Sequence, residues 1–291
     1  MKNEKVIAVI PSIDGTADEL GALHSALASV GIDVHLVANS AVVADRLASA
    51  GLPFDSAHQN IGSVTTSANF VTGMNRDWEW LVLANDDLVI DPVMFADSWH
   101  TWCARADRAG ITYFCHEPPR PIPGRAGTFM SMSLLARGFK GFGRPRPGVP
   151  SYQAYTMAVI RRGVWDGLGG VDTTIPFTYE DTDFARRAID AGVTTQSIEN
   201  TGVTHGHSVT TSSHVRVVLP VSAWSAVKYL DKWYGGHRWN VATVVLALYV
   251  RTVFAVFARA DLRDHLAGIR GAIRALRTGH QPSLPPYEGT G

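Results

Sequence analysis

The chain alternates short apolar runs with segments in which apolar residues recur every three or four positions. The β-branched apolar run 6–10 and the apolar run 80–84 predict buried strands, and further strands are predicted over 33–38 and 111–115. The periodic segments predict helices over 17–29, 41–50 and 63–74, with another beginning at 91–92. Strands and helices in this order are typical of an α/β protein with a mostly parallel, doubly wound sheet.

The middle of the chain has a different pattern. Residues 117–150 are rich in proline, glycine and arginine and predict a long loop. Regular structure resumes at 154–160 and 163–170, and a helix is predicted over 184–191.

The C-terminal part predicts two further helices. Residues 241–258 are almost entirely apolar, but they are too few for a comfortable membrane span and include Arg251. Over 259–277, one apolar stripe lies beside a stripe of arginines. Contact of 241–277 with an anionic membrane surface is one interpretation. A helix docked on its own domain and a seam between two copies in a homo-oligomer are the others.

Composition narrows the class of protein. The chain has 291 residues, 46% of them hydrophobic, and a formal net charge of zero, so a substantial core is expected and nucleic acid is not an expected partner. The only cysteines, Cys103 and Cys115, form neither a disulfide framework nor a zinc signature. The apolar run at 6–10 is too short for the core of a signal peptide, so a cytoplasmic protein is expected, with the inner face of the membrane as the surface it would contact.

Two acidic clusters carry the candidate chemistry. Asn85, Asp86 and Asp87 end the apolar run at 80–84, and the cluster 180–183 opens the last predicted helix before the C-terminal part. In open α/β sheets, ligands bind at the carboxyl edge, where a strand such as 80–84 delivers its acids. Carboxylates there can hold a hard divalent cation, and another can act as a base. The pattern therefore indicates metal-assisted chemistry on a phosphorylated substrate.

The order of these landmarks is more specific than any one of them. Along the chain stand Val9-Ile10-Pro11-Ser12, Val37-Ala38-Asn39-Ser40, Asn60-Ile61-Gly62, Asn69, Leu83-Ala84-Asn85-Asp86-Asp87, Gly169-Gly170-Val171-Asp172, Tyr179-Glu180-Asp181-Thr182-Asp183-Phe184, Arg186-Arg187 and His205. Together they resemble a family 2 glycosyltransferase of the GT-A fold, similar to bacterial rhamnosyl- and galactofuranosyltransferases. The resemblance covers residues 5 to about 235.

The resemblance implies an inverting, metal-dependent transfer of a sugar from a UDP- or dTDP-linked donor to a hydroxyl of a glycan, a lipid-linked glycan or another acceptor. It implies that Asp87 binds Mn²⁺ or Mg²⁺ and that His205 adds a nitrogen ligand, with His207 and His214 as competitors for the second role. Asp181 would be the general base, and Glu180 would orient the acceptor. Asn85 stands where many members have an acid, so the chain offers the ion one charge fewer.

The other implied contacts divide between donor and acceptor. Donor contacts are implied for Pro11, Ser12, Asn39, Gly62, Asn69 and Asp86. Sugar or acceptor contacts are implied for Gly170 and Asp183. The expected organisation is a GT-A, Rossmann-like domain over 1–235, with a donor half at about 1–115 and an acceptor half at about 150–235, followed by a helical extension over 236–291.

Two other functions stay open. A nucleotidyltransferase shares the layered sheet and the metal, but the segment 12–16 lacks the basic residue that such a phosphate-binding loop would carry. A non-catalytic protein that binds a sugar nucleotide is the second alternative. The glycosyltransferase interpretation requires that Asp87, Asp181 and His205 meet around one cleft.

Overall fold

The computed structural model describes residues 4–12, 15–39, 41–56, 64–138, 144–145, 147–206, 215–257 and 262–282. The first half contains β1 (Val6–Ser12), α1 (Ala17–Ser29), β2 (Asp33–Ala38), α2 (Ala41–Ser49), β3 (Asp55–Ser56), α3 (Val64–Met74), β4 (Trp80–Ala84), β5 (Leu88–Ile90), α4 (Pro92–Cys103) and β6 (Ile111–Tyr113). The second half contains β7 (Arg120–Pro121), α5 (Arg125–Met132), α6 (Leu135–Gly138), β8 (Ser151–Tyr152), β9 (Met157–Arg161), α7 (Arg162–Leu168), α8 (Glu180–Asp190), β10 (Thr195–Ser197), β11 (Val203–His205), α9 (Val215–Tyr234), α10 (His237–Phe257) and α11 (Leu262–Thr278).

A seven-stranded sheet of order β10-β6-β9-β4-β1-β2-β3 organises the chain. Its neighbouring strands are parallel except around β9, which is antiparallel to both β4 and β6. Two short ribbons, β5 with β11 and β7 with β8, lie outside this sheet. The predicted α/β class with a mostly parallel sheet is confirmed.

Both faces of the central sheet are covered, which explains the continuous apolar runs of its strands. In β1, Ala8 and Ile10 belong to the core shared with α1 and α4, whereas Ile7 and Val9 belong to the core shared with α3, α7 and α8. Successive side chains of a strand point to opposite faces, so a strand buried on both sides needs apolar residues at every position.

A third core joins the C-terminal helices to the domain. It contains Leu219, Tyr229, Leu248 and Ile269, contributed by α9, α10 and α11. Close approach of α11 to α9 depends on Gly268, where a Cβ atom would lie 2.8 Å from the carbonyl oxygen of Val215. The apolar face of α11 therefore docks on the chain's own domain, which is one of the three interpretations left open for 259–277.

The prediction of a loop over 117–150 is wrong in part, because the structure has helices α5 and α6 within it. Weak local signals explain the error, since the α5 sequence contains glycine, serine and threonine and follows Pro123. Its stability comes from tertiary contacts: Met132 is buried in the third core, and the Arg125 guanidinium donates to Asn240 of α10 at 2.7 Å.

Candidate active site

Asp87 and His205 lie side by side, although they are far apart in the sequence. The ribbon of β5 and β11 pairs His205 with Leu88, the residue after Asp87. The backbone N–H of Gly206 donates to the carbonyl oxygen of Asp87 at 3.0 Å. As a result, Nε2 of His205 is 3.1 Å from Oδ2 of Asp87. A hydrogen-bonded strand pair thus fixes the distance between the two predicted metal ligands.

Gly206 permits this approach. A Cβ atom at that position would lie 2.9 Å from the carbonyl oxygen of Asp87, which is closer than such contacts normally allow. Any larger residue would therefore push β11 away from the acidic strand end.

Glu117 is a third member of the cluster that the sequence did not reveal. Its Oε1 lies 2.9 Å from Nδ1 of His205, on the side of the ring opposite Asp87. The only signal in the sequence was its position shortly after β6, a third strand that ends in a polar segment. The pKa of His205 is raised, first by its hydrogen bond to Asp87 and also by Glu117, against the opposing effect of burial.

The donor set at Asp87 and His205 fits a divalent cation. Oδ1 of Asp87 is buried and has no hydrogen-bond partner among the described residues. Adjacent ligands of an octahedral Mg²⁺ or Mn²⁺ are about 3 Å apart, which the 3.1 Å between Nε2 and Oδ2 matches. Within the described residues, no group of three or more histidine, cysteine or acidic side chains is arranged to hold a metal. Asp87 and His205 would therefore supply two ligands to such an ion.

Asp181 and Glu180 lie in the first turn of α8, in the wall of a cavity of about 780 Å³. Burial raises the pKa of Asp181, and the charge of Arg120 opposes this rise. The pKa of Glu180 is raised well above its usual range by burial and by the neighbouring charge of Asp181. Oε2 of Glu180 is buried without a hydrogen-bond partner among the described residues. Burial therefore favours the protonated form of both carboxyls, and the charge of Asp181 adds to this effect at Glu180.

Arg120 links the two parts of the site. Its Nη2 lies 3.6 Å from Oε2 of Glu117, and it lines the cavity that contains Asp181. The residues that line this cavity do not include Asp87 or His205. The structure thus joins Asp87 to His205 directly, and it does not place this pair in the cavity wall with Asp181. Arg120 lies near Glu117 and in that wall, so it is the residue nearest to both parts of the predicted site.

The predicted donor residues at the ends of β1 and β2 contain unsatisfied polar atoms. Pro11 and Ser12 are buried, and neither the hydroxyl of Ser12 nor Nδ2 of Asn39 has a hydrogen-bond partner among the described residues. A buried polar group without a partner is costly, so such atoms are candidates for ligand contacts. Asp86 accepts the backbone N–H of Gly15 at 3.2 Å and so shapes the loop after β1. Gly62, His207 and His214 lie outside the described residues.

Asn69, for which a donor contact is predicted, contacts Gly170 and is held by the backbone of Val171. Its Nδ2 donates to the carbonyl oxygen of Val171 at 2.8 Å, and its Oδ1 accepts the Val171 N–H at 3.2 Å. Gly170 has a φ of +67°, and a Cβ there would lie 2.6 Å from Oδ1 of Asn69. The amide of Asn69 is therefore occupied in holding the turn after α7.

Asp183, for which a sugar or acceptor contact is predicted, is surrounded by residues of the scaffold. The side chain is fully buried. It accepts hydrogen bonds from Arg187 at 2.9 Å, from Trp233 at 2.8 Å and from Lys232 at 3.0 Å. Asp183 therefore fixes α8 to the end of α9 and is not available to a substrate.

Comparison with known proteins gives only distant similarity. No family profile and no curated protein sequence matches the chain. Among solved structures, glucosyl-3-phosphoglycerate synthase from Mycobacterium tuberculosis, in complex with Mn²⁺, UDP and glucosyl-3-phosphoglycerate, is 11% identical, with a TM-score of 0.47 over 79% of this chain and 80% of that one.

Two further structures extend the range of this similarity. A Drosophila galactosyltransferase complex with manganese, UDP-Gal and xylobiose is 13% identical, with a TM-score of 0.42 over 70% and 71% of the two chains. Inositol-1-phosphate CTP transferase from T. maritima is 11% identical, with a TM-score of 0.40 over 69% and 89%. Both glycosyl and nucleotidyl transferases are represented, and at these scores a functional assignment depends on the site itself.

Proposed function

We propose that the protein transfers a sugar from a nucleotide-diphosphate donor to an acceptor hydroxyl, with inversion at the anomeric carbon. The observation that carries this proposal is the pair of Asp87 and His205 at 3.1 Å, connected through Glu117 and Arg120 to a cavity walled by Asp181. One half of this arrangement suits a diphosphate-bound cation, and the other suits removal of a proton.

Asp181 is the proposed general base. Its carboxylate takes the proton of the acceptor hydroxyl while the acceptor oxygen forms a bond to the anomeric carbon. The bond between that carbon and the diphosphate oxygen breaks in the same step, on the opposite face of the sugar. A pKa raised by burial suits this role, because a more basic carboxylate accepts the proton more readily as long as it remains ionised.

Glu180 has a different proposed role. Burial and the charge of Asp181 raise the pKa of this carboxyl and so favour its protonated form, which can donate a hydrogen bond. It is proposed to orient the acceptor next to Asp181 and does not itself remove a proton.

Asp87 and His205 are the residues that would hold Mn²⁺ or Mg²⁺. When bound, such an ion acts as a Lewis acid that stabilises the charge growing on the departing diphosphate. Ser12 and Asn39 are proposed to satisfy their unpartnered atoms with the nucleotide part of the donor. The predicted contact of Pro11 and the predicted roles of Gly62 and Asp86 remain proposals.

The cavity walls support an acceptor with both apolar and anionic parts. Arg120, Arg144 and Arg251 contribute positive charge, while α9 contributes Val215, Val218 and Leu219. Guanidinium groups bind phosphates and carboxylates well, and aliphatic side chains do not bind free sugars strongly. A lipid-linked glycan combines the features that these walls favour.

The test measures release of the nucleoside diphosphate from a panel of UDP- and dTDP-sugars with Mn²⁺, with and without short lipid-linked acceptors. Wild-type protein should release it, the Asp181→Asn variant should bind the donor without turnover, and Asp166→Asn, at an exposed residue of α7, serves as the control. Donor binding without any turnover in the wild type would favour the non-catalytic alternative. Release of inorganic diphosphate from a nucleoside triphosphate and a sugar phosphate would instead favour a nucleotidyltransferase.

A further inference from the structure

Helix α10 has two apolar faces, and the residues that the structure describes cover only one of them. Val244, Ala247, Leu248 and Ala255 are buried against the domain. On the other side, one stripe of exposed residues follows the helical repeat: Trp239, Ala242, Leu246, Tyr249, Val253 and Val256. We call these six residues the outer stripe. Trp239 is 74% exposed, and Leu246, Tyr249, Val253 and Val256 are each more than half exposed, at 54% to 57%. A contiguous apolar patch of this kind marks a surface that contacts something other than water.

The exposed charges of α10 and of the neighbouring helix α11 indicate what covers the outer stripe. Helix α10 contains no acidic residue and begins next to exposed Arg238. The neighbouring helix α11 exposes Arg270, Arg274 and Arg277. A second copy of the chain would bring two such cationic surfaces together, which Coulomb repulsion opposes. An anionic lipid surface complements them.

Hydrogen bonds on the inner face of α10 limit how the helix can be oriented in a membrane. The segment 237–256 is long and apolar enough to cross a membrane by length and composition alone. However, Asn240 accepts from Arg125 at 2.7 Å and donates to Asp231 at 2.8 Å, and Arg251 donates to the carbonyl oxygen of Met132 at 3.2 Å. These bonds fix one side of the helix to the protein, so only the outer stripe can enter lipid.

We propose that the outer stripe lies in the interfacial region of an anionic lipid bilayer, with α10 parallel to the membrane plane. One interpretation of the sequence predicts that the apolar face of the amphipathic segment 259–277 also contacts the membrane. In the structure α11 buries that face against α9, so it is not available to lipid. The same helix α10 supplies Arg251 to the cavity wall, so docking brings the cavity close to acceptors anchored in the membrane. Only this last consequence rests on the proposed function.

The test is co-sedimentation of the full-length protein with vesicles of phosphatidylcholine alone and of phosphatidylcholine with phosphatidylglycerol. We expect binding to the anionic vesicles that weakens as salt is raised. The Leu246→Ser/Val253→Ser variant should bind about tenfold more weakly or worse, because two aliphatic side chains no longer leave water. The Met74→Ser/Val93→Ser variant is the matched control, since Met74 and Val93 are also exposed, at 54% and 69%, and it should bind like wild type.

Equal binding of wild type and the outer-stripe variant would overturn the proposal, and so would an absence of binding to anionic vesicles at low salt. A wild-type dimer that the outer-stripe substitutions convert to a monomer would assign the surface to a second copy and would also overturn it. Equal binding to both kinds of vesicle would refute the anionic preference. Circular dichroism checks that each variant is folded. Because sedimentation needs no turnover, a failed transfer assay with intact vesicle binding would refute only the proposed function.

Discussion

Oε1 of Glu117 lies 2.9 Å from Nδ1 of His205, and the other ring nitrogen faces Asp87. A carboxylate can only accept a hydrogen bond, so Glu117 favours a proton on Nδ1. If a cation were held by Asp87 and His205 as proposed, Nε2 would have to give up its proton, and Glu117 would keep the remaining one on Nδ1. In the proposed site Glu117 would thus position His205, as carboxylates commonly position metal-binding histidines.

Replacing Glu117 should therefore weaken metal binding. We expect Glu117→Ala to raise the Mn²⁺ concentration needed for half-maximal transfer about 10- to 100-fold, because the imidazole loses its orienting acceptor. Glu117→Gln keeps an acceptor oxygen and should fall between Ala and wild type. A titration of activity with Mn²⁺ at saturating donor measures this, and an unchanged Mn²⁺ requirement in Glu117→Ala would contradict the role.

The two acids at the start of α8 should respond differently to amide substitution. Asp181→Asn should lower kcat about 10²- to 10⁴-fold, because an amide cannot accept the hydroxyl proton. Glu180→Gln should retain much of the activity, since glutamine resembles the neutral acid that burial favours. Steady-state kinetics with saturating donor compares them. A Glu180→Gln variant as inactive as Asp181→Asn would show that the roles are wrongly divided.

The pH profile should depend on Arg120. Its charge lowers the pKa of Asp181 against the larger effect of burial, so Arg120→Gln should let that pKa rise further. Because only the ionised carboxylate is a base, the acidic limb of kcat/KM should move to higher pH. The control is Arg144→Gln, which alters another arginine of the cavity wall. It should change KM and leave the acidic limb of the pH profile nearly unchanged. Identical pH profiles of kcat/KM for Arg120→Gln and wild type would show that the charge of Arg120 does not influence the pKa of Asp181.

Asp183 should matter for stability. Asp183→Ala removes a fully buried acceptor and leaves Arg187, Lys232 and Trp233 without it, which we expect to cost about 3–5 kcal/mol of unfolding free energy. The exposed pair of Arg162 and Asp166 offers a control, and Asp166→Asn should cost less than about 1 kcal/mol. Urea denaturation measures both. Similar small losses in the two variants would show that the buried network is unimportant.

Gly170 should not tolerate a side chain. Its φ of +67° and the 2.6 Å approach of Asn69 predict that Gly170→Ala loses about 1–3 kcal/mol of stability. At Gly73, in helix α3, a Cβ atom would meet nothing within 4 Å, so Gly73→Ala should be neutral or stabilising by up to about 1 kcal/mol. Thermal unfolding of the two variants distinguishes them, and a harmless Gly170→Ala would refute the account of the turn.

Local patterns were sufficient for much of the architecture. The runs that became β1 and β4 are apolar at nearly every position because both sheet faces are covered, and that pattern is visible without coordinates. The acidic clusters at 85–87 and 180–183 lie where β4 ends and where α8 begins. Helix α5 was missed because its stability comes from contact with α10, which its own sequence does not encode.

The sequence by itself determined the α/β class, the strand that ends at Asp87 and the helix that begins at Glu180, because periodicity and element ends are properties of neighbouring residues. Only the tertiary structure decided that Glu117 joins His205, that Asp183 and Asn69 serve the scaffold, and that α10 keeps an exposed apolar face. These facts depend on pairings between residues many positions apart. Such pairings form because the packed elements bury apolar surface and satisfy their polar groups together. A local sequence pattern does not contain this information.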